Sequence, residues 1–206
     1  MTADGLSFYP GAEAIVVCGH STRVPMAEFR REEAQILLDY VCPAKGQERT
    51  VLYNVLPELE IVEIFGIGTD RLADLRRDYP THRILGVNTM VLETMWRHDC
   101  AMGSAGRRLY AYCHDGEMLL FCYDAQGLRW ANTFPVPTPQ ERLFLFLSAW
   151  RQLGFDAEKD ECLLLCCDNM AEPLKPYIRH IATLSPADVL GQKAAHRDAP
   201  FDILVI

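Results

Sequence analysis

The first half of the chain alternates short apolar runs with stretches of helical periodicity, bounded by proline, glycine or charged residues. A run over residues 5–20 is broken by Pro10-Gly11 and predicts a hairpin. The other predicted elements are a helix after Pro25 that Pro43 ends, strands Val51–Leu56 and Ile61–Ile67, a helix Asp70–Asp78 capped by Thr69, a strand Arg83–Val87 and a helix near Thr89–Arg97. The high apolar content of Ile61–Ile67 predicts a central strand.

The second half begins again after a small, polar stretch at His98–Arg108, where we place a domain boundary. Two turn signals, Asp115-Gly116 and Asp124–Gly127, separate alternating strands and predict a three-stranded meander. Thr138, followed by proline and then by Glu141, is a capping box that predicts the start of a long helix. The predicted elements are strands Leu109–His114, Glu117–Tyr123 and Leu128–Val136, a helix from Thr138 through Leu153, a strand Cys162–Cys167, a helix from about Glu172 to Thr183 and a strand Asp202–Ile206.

The two halves repeat one order of elements. Each has hairpin strands, a helix after a proline, a charged loop, an apolar strand and a second helix. Strands that alternate with crossover helices predict an α/β architecture, with a mixed sheet flanked by helices in each half. We therefore predict two lobes, an N-terminal one of residues 1–100 and a C-terminal one of residues 101–206.

Composition and charge narrow the range of partners and compartments. The 206 residues are 50% hydrophobic and 23% charged, as in an ordinary globular protein. The formal net charge is −8 and both halves are acidic, which argues against nucleic acid or an anionic membrane as the main partner. The N-terminus carries an acidic residue where a secretory signal would carry a basic one. The densest apolar run, Leu143–Leu147, is far shorter than the ~20 residues that span a bilayer. We predict a cytoplasmic protein without a membrane span.

The positions of the eight cysteines predict thiols rather than disulfides. Cys113 and Cys122 flank the first turn of the meander, but they lie four residues out of register. At about 3.3 Å per residue this separates them by roughly 13 Å, too far for a disulfide. Cys162, Cys166 and Cys167 lie in an apolar strand without the cysteine spacing or paired histidines of a zinc site. We predict buried thiols in a reducing compartment.

Two segments of the sequence resemble a known family. One is Val51-Leu-Tyr-Asn-Val-Leu-Pro-Glu-Leu-Glu-Ile-Val-Glu-Ile-Phe-Gly-Ile67, and the other joins Ala131-Asn-Thr-Phe to Leu143-Phe-Leu-Phe-Leu-Ser-Ala-Trp-Arg-Gln-Leu-Gly154. The family is an uncharacterised Bacteroidota group with a domain of unknown function, whose members resemble the actin-like ATPase fold. The similarity extends from about Asp4 to Ile181 and implies two RNase H-like lobes facing across a cleft. It also implies a strand before Asp4, so we expect either a shortened first lobe or a native start upstream of Met1.

The resemblance also indicates where ATP would bind. An actin-like cleft uses two Asp-x-Gly hairpins for phosphates and metal, and a glycine turn for adenosine. The first hairpin is expected to be cut short at Asp4-Gly5. The second reads His114-Asp-Gly-Glu117, with a carboxylate where phosphate would lie, and the adenosine turn reads Cys166-Cys-Asp-Asn169 without glycine. We therefore predict no nucleotide cofactor.

Other short motifs indicate structure rather than chemistry. Gly66-Ile-Gly68 lacks the third glycine of a dinucleotide loop and predicts a strand-to-helix turn. Gly103-Ser-Ala-Gly106 lies in a linker without the elbow that a serine nucleophile needs. The six histidines show no metal-binding pairing. We interpret Trp96, Trp130 and Trp150 as core or interlobe packing, and any one at the surface as a partner anchor.

No catalytic residue, cofactor-binding residue or metal ligand is therefore predicted. We predict a non-catalytic actin-like domain that acts through contact with an unknown protein partner or with itself. The alternative is an ATP-binding actin-like switch or ATPase with divergent phosphate loops. The sequence favours the non-catalytic interpretation and leaves both open.

Overall fold

A computed structural model describes residues 6–7, 14–44, 46, 48–103, 107–114, 116–167 and 169–185. The described residues divide into two compact units between Glu93 and Thr94. We call the part up to Glu93 unit 1 and the part from Thr94 unit 2, and we describe each by itself. The predicted strand Asp202–Ile206 and the turn at Pro10-Gly11 lie outside the described residues.

Unit 1 consists of short strands with helices between them. In chain order the elements are β1 (Leu6–Ser7), β2 (Ala14–Val17), β3 (Ser21–Pro25), 3-10 turns Met26–Glu28 and Arg31–Glu33, α1 (Ala34–Val41), β4 (Arg49–Leu56), a 3-10 turn Pro57–Leu59, β5 (Ile61–Gly68), α2 (Thr69–Asp78), β6 (Arg83–Gly86) and the first part of α3 (Val87–Met102). The strands form two three-stranded sheets, one in the order β1-β2-β6 and one in the order β3-β5-β4.

β5 is the central strand of its sheet, as its apolar sequence predicted, and pairs antiparallel with β3 and β4. Because successive strand residues point to opposite faces, β5 contributes to two separate cores. The first contains Ile15, Val17, Phe65, Ile67 and Ile84, and the second contains Ala34, Leu38, Val62 and Ile64. β5 therefore supplies one of its faces to each of two small apolar clusters in unit 1.

Unit 2 consists of one sheet with helices. Its elements after α3 are β7 (Arg108–His114), β8 (Glu117–Asp124), β9 (Gly127–Pro135), α4 (Pro139–Gln152), β10 (Glu161–Leu165), α5 (Ala171–Leu174) and β11 (His180–Leu184). The strand order is β11-β10-β7-β8-β9. β10 is parallel to β7 and β11, and β8 is antiparallel to β7 and β9. The predicted meander is confirmed.

The core of unit 2 is continuous. Phe146 and Trp150 on α4 join buried residues from β7, β8 and β10 in a single cluster. The alternate residues of β7 and β8 are also buried, and the Tyr110 and Phe121 rings among them stack with centroids 5.0 Å apart. The sheet is thus apolar on both faces.

The predicted cap of α4 is confirmed. The Thr138 hydroxyl accepts a hydrogen bond from the Glu141 backbone N–H at 3.2 Å and donates one to Glu141 Oε2 at 2.7 Å. Because the first backbone N–H groups of a helix have no partner inside the helix, this arrangement stabilises the start of α4. The predicted cap of α2 is wrong: Gly68 occupies the N-cap, and the Thr69 hydroxyl lies 3.3 Å from that of Thr50.

Other predicted elements differ from the structure. The helix predicted from Glu172 to Thr183 is wrong, because helical structure ends at Leu174 and His180–Leu184 forms β11. Pro176 explains the early end, since proline cannot continue the hydrogen-bond ladder of a helix. β3 was not predicted, and α3 extends through Met102 into the stretch that we predicted as a linker.

Candidate functional site

The two turns that the family resemblance relates to nucleotide binding, residues 114–117 and 166–169, follow the carboxyl ends of β7 and β10. These strands are parallel neighbours, with Leu165 of β10 in register with Tyr112 of β7. In open α/β sheets, ligands bind at the carboxyl ends of strands. This edge of unit 2 is therefore the first candidate site.

The turn after β7 is a tight hairpin. His114 and Glu117 are paired in register, and Gly116 has a left-handed φ of 77° between them. The Gly116 carbonyl accepts a hydrogen bond from the Val136 backbone N–H at 2.7 Å. Asp115 lies outside the described residues. The turn joins two strands and presents a glutamate at the end of the hairpin.

The turn after β10 has an unusual backbone. Cys166 and Asn169 have left-handed φ angles of 52° and 61°. Asparagine tolerates this conformation, whereas cysteine does so at a cost of order 1–2 kcal/mol. The Met170 backbone N–H donates to the Cys167 carbonyl at 3.2 Å and closes the turn. The predicted strand Cys162–Cys167 therefore ends at Leu165.

A disulfide crosses this edge and corrects our prediction that the cysteines are reduced. Cys113 of β7 is bonded to Cys167, and their Cα atoms are 5.0 Å apart. The left-handed residue at Cys166 ends the strand and brings the next residue toward β7, an effect that sequence spacing does not reveal. Cys122 takes no part in this bond, as predicted. Burial raises the pKa of the thiols of Cys122 and Cys162.

A cavity of about 630 Å³ lies at the opposite, amino ends of β7 and β10. The rings of Trp96 and Tyr123 form an aromatic wall, with centroids 5.2 Å apart. Asp99, Arg107 and Arg108 supply the polar wall. Mixed aromatic and polar lining is typical of pockets that bind small molecules or side chains.

The charged side chains that line this cavity are held in position by hydrogen bonds to other residues of unit 2. Asp99 accepts hydrogen bonds from the Tyr110 hydroxyl at 2.5 Å and from Arg108 at 2.9 Å. Arg107 donates to the carbonyls of Leu153 and Gly154 at 2.8 and 2.7 Å. Burial, with the hydrogen bond to Asp99, raises the pKa of Tyr110. These contacts fix the cavity walls and leave the Tyr110 phenol protonated.

Unit 1 contains a buried carboxylate on β5. The Glu63 side chain is 0% exposed and forms an ion pair with Arg23 of β3 at 2.7 Å. The Ser21 hydroxyl also donates to Glu63, and Asn88 of α3 donates to the Ser21 hydroxyl at 2.9 Å. Buried charge is tolerated when it is paired and hydrogen-bonded. The cluster joins β3, β5 and α3, which is a structural role.

The outer face of α1 exposes large apolar side chains. Ile36 is 69% exposed, Tyr40 is 88% exposed and Val41 is 57% exposed. Ile36 and Tyr40 are four residues apart, so they lie on one side of the helix, while Ala34 and Leu38 are buried on the other. Periodicity predicted that these residues share a helix, but it does not tell whether the face is covered.

The remaining sequence motifs have structural positions. Gly66 lies within β5, where a Cβ would approach the Arg49 side chain to 3.0 Å. Gly68 ends β5 and is the N-cap of α2, so the predicted strand-to-helix turn is confirmed. Part of Gly103-Ser-Ala-Gly106 lies outside the described residues. Trp150 is buried, and Trp130 packs against the same core. Within the described residues, no group of histidine, cysteine and acidic side chains is arranged to hold a metal ion.

No helix among the described residues is both long and apolar enough to cross a bilayer.

A family profile described as "Protein of unknown function (DUF3822)" matches residues 7–181. A crystal structure from Bacteroides thetaiotaomicron VPI-5482, of a protein with actin-like ATPase fold and unknown function, is similar with a TM-score of 0.74 and 24% identity, over 86% of this chain and 70% of that one. This likeness concerns the fold. A PilM-PilN type IV pilus biogenesis complex gives a TM-score of 0.44 at 9% identity, over 82% and 66% of the two chains. No curated protein matches the sequence.

Proposed function

The chain belongs to the DUF3822 family, whose function is unknown, and we propose a function from the residues of the chain itself. We propose that it is a non-catalytic domain of actin-like fold that acts through protein–protein contact. The observation that carries this proposal is the exposed apolar face of α1. Tyrosine and aliphatic side chains grouped on one surface are typical of residues that anchor a protein partner. The occupant is a partner protein or a second copy of the chain.

The carboxyl edge of unit 2 supports the non-catalytic part of the proposal. Phosphate turns need free backbone N–H groups and little negative charge. Here Glu117 sits beside the turn, and the Cys113–Cys167 disulfide ties the two strand ends together. The turn after β10 reaches its left-handed positions with Cys166 and Asn169, and neither gives a nucleoside the close backbone approach that glycine allows.

We also propose a finer description of the fold, with two RNase H-like lobes of residues 1–100 and 101–206. The five-stranded order of unit 2, with one antiparallel strand inside a mixed sheet, supports this for the second lobe. For the first lobe we propose a shortened mixed sheet, and its described residues form two three-stranded sheets. An experimental structure with one continuous sheet through both halves would contradict the proposal.

Site-directed photo-crosslinking tests the contact surface. A crosslinking amino acid at position 40, in the source organism, is expected to capture a partner or a second copy. Position 144 is the matched control, because Phe144 lies on α4 and is 69% exposed, as Ile36 is. The purified Ile36→Ser/Tyr40→Ser variant should lose the captured complex in size-exclusion chromatography with light scattering. Equal capture at positions 40 and 144 would count against the proposal.

The alternative of an ATP-binding switch rests on the fold likeness, and fold does not fix function. A thermal-shift series with Mg-ATP and Mg-ADP separates the two. Ligand at 100 times its dissociation constant adds about 2.7 kcal/mol, which raises the melting temperature by roughly 5–10 °C. We expect no shift at millimolar nucleotide. ATP hydrolysis that Asp115→Ala abolishes would overturn the non-catalytic proposal.

We further propose a cytoplasmic location, supported by the acidic composition of the chain. Fractionation of the source organism, with detection of the native protein, tests this directly. Recovery in the membrane or extracellular fraction would contradict it.

A further inference from the structure

The disulfide at the carboxyl edge of unit 2 joins two strands that are already neighbours in the sheet. Cys113 is near the end of β7, and Cys167 follows β10 by two residues. Five register pairs already hold β7 and β10 together, from Glu161 and Arg108 to Leu165 and Tyr112. The bond therefore adds little to the pairing of the strands. Its effect falls on the turn that follows β10.

That turn is the part of the edge that the bond constrains. It contains two non-glycine residues with left-handed φ, Cys166 and Asn169, and the bonded Cys167 lies between them. Backbone in this conformation persists where surrounding contacts hold it. The disulfide and the hydrogen bond from the Met170 N–H to the Cys167 carbonyl are two contacts that act on this turn.

The structure also offers a hydrogen-bond acceptor to the Cys167 thiol of the reduced state. The Cys167 sulfur is 3.3 Å from the carbonyl oxygen of Ala111, in a buried position. A disulfide sulfur has no proton to donate, whereas a thiol can donate to this carbonyl. Cys167 would therefore exchange its covalent bond for a hydrogen bond without leaving a buried polar group unsatisfied.

The bond is reachable from one side. Cys113 is half-buried and Cys167 is buried, so Cys113 is the more exposed of the two bonded residues and the one at which we expect a thiolate to attack. We propose that the Cys113–Cys167 bond is a reversible redox modification site, reduced by a dithiol and re-formed by a disulfide, that locks and releases the turn at the carboxyl end of β10.

The exchange balances as follows. A thiolate of the dithiol attacks the Cys113 sulfur, the Cys113–Cys167 bond breaks, and its electron pair leaves on Cys167, which takes up a proton. The mixed disulfide joins Cys113 to the first sulfur of the reductant. The second thiol of the reductant then attacks that first sulfur and releases Cys113 as a thiol. The reductant ends as a disulfide, and the protein gains two hydrogens. In the reverse direction a disulfide such as oxidised glutathione accepts the two electrons.

Differential alkylation after redox equilibration of the folded protein tests the site. The purified chain is equilibrated in glutathione buffers from strongly reducing to strongly oxidising and quenched with acid, its free thiols are blocked in denaturant so that the buried Cys167 also reacts, and peptides containing Cys113 and Cys167 are quantified by mass spectrometry. We expect both residues to change together from alkylated to bonded within the buffer range. Full alkylation in every buffer, or a bond that persists in every buffer, would overturn the proposal.

Hydrogen exchange tests the release of the turn. Peptides covering residues 166–170 should exchange faster in the reduced protein, while those of β9 should not change. The reduced protein should also melt roughly 5–15 °C lower, because the bond closes a long loop. Cys113→Ser should show reduced-state exchange in all buffers, and Cys166→Ser is the matched control that keeps the transition. If Cys113→Ser does not fold, the wild-type comparison decides: equal exchange of residues 166–170 in both redox states rejects the lock.

Discussion

Units 1 and 2 bury their residues in different ways. In unit 2, one face of a five-stranded sheet and α4 build a continuous apolar cluster around Phe146 and Trp150. In unit 1, two three-stranded sheets have smaller apolar clusters, and a charged side chain, Glu63, lies fully buried between β3, β5 and α3. The largest apolar cluster thus lies in unit 2, whereas unit 1 combines smaller apolar clusters with a fully buried, hydrogen-bonded carboxylate. Different substitutions should therefore damage the two units.

The largest expected effect is on the apolar core of unit 2. Phe146→Ala removes a fully buried ring from α4 and should lower the free energy of unfolding by about 3–5 kcal/mol. Phe144→Ala, two positions away on the same helix and exposed, should change it by less than about 0.5 kcal/mol. Urea titration followed by tryptophan fluorescence compares the two variants. Similar losses in both would show that α4 packs through a different face.

The next effect is on the polar cluster of unit 1. Glu63→Ala leaves the Arg23 guanidinium and the Ser21 hydroxyl without their main acceptor, and should lower the free energy of unfolding by roughly 2–4 kcal/mol. The exposed Glu58→Ala, in the 3-10 turn before β5, is the matched control. Circular dichroism during thermal denaturation measures both.

A double variant sharpens this test. Glu63→Leu with Arg23→Met replaces the ion pair by apolar groups of similar size, which often costs little in a buried position. We expect it to recover most of the stability that Glu63→Ala loses. If the double variant is as unstable as Glu63→Ala, the cluster contributes directional contacts that apolar packing does not replace.

Alkaline pH should weaken unit 2 through its buried tyrosines. Burial raises the pKa of Tyr110 and of Tyr123, so the folded state keeps two protons that the unfolded state releases near pH 10. Stability is then fully present below pH 10 and falls as pH rises above it, by about 1.4 kcal/mol per pH unit for each tyrosine. Stability curves from pH 8 to pH 11 should be less steep for Tyr110→Phe. Phenolate absorbance that appears near pH 10 from both buried rings in the folded protein would contradict this.

Local signals explain why unit 2 was easier to predict than unit 1. The meander follows from two glycine-containing turns, and α4 follows from the sequence around Thr138, so each element is specified by adjacent residues. β3 has no such signal. Its Ser21 and Arg23 donate hydrogen bonds to Glu63, some forty residues later, which makes these polar side chains acceptable inside the fold. Periodicity does not report a partner at that separation.

The candidate sites were missed for related reasons. Cys167 follows a residue with a left-handed backbone, Cys166, and the cysteine spacing in the sequence does not predict that conformation. The apolar spacing of Ile36 and Tyr40 was visible, but spacing alone cannot separate a face packed on a core from one in contact with solvent. The sequence therefore predicts which residues share a helix face, and the fold determines which of those faces stays exposed.

The smallest expected effect tests whether helix ends in the two units are specified differently. The N-cap of α4 is Thr138, whose hydroxyl accepts a hydrogen bond from the Glu141 N–H, whereas the N-cap of α2 is Gly68, which makes no side-chain hydrogen bond. Thr138→Ala should therefore cost about 1 kcal/mol, because a helix N–H loses its acceptor. Thr69→Ala should cost less, because Thr69 lies inside the first turn of α2 and caps no N–H. Thr138→Ser, which keeps the hydroxyl, should restore most of the loss in urea titrations. If alanine at positions 69 and 138 has the same effect, the capping box adds nothing to the packing of α4, and tertiary contacts alone fix both helix ends.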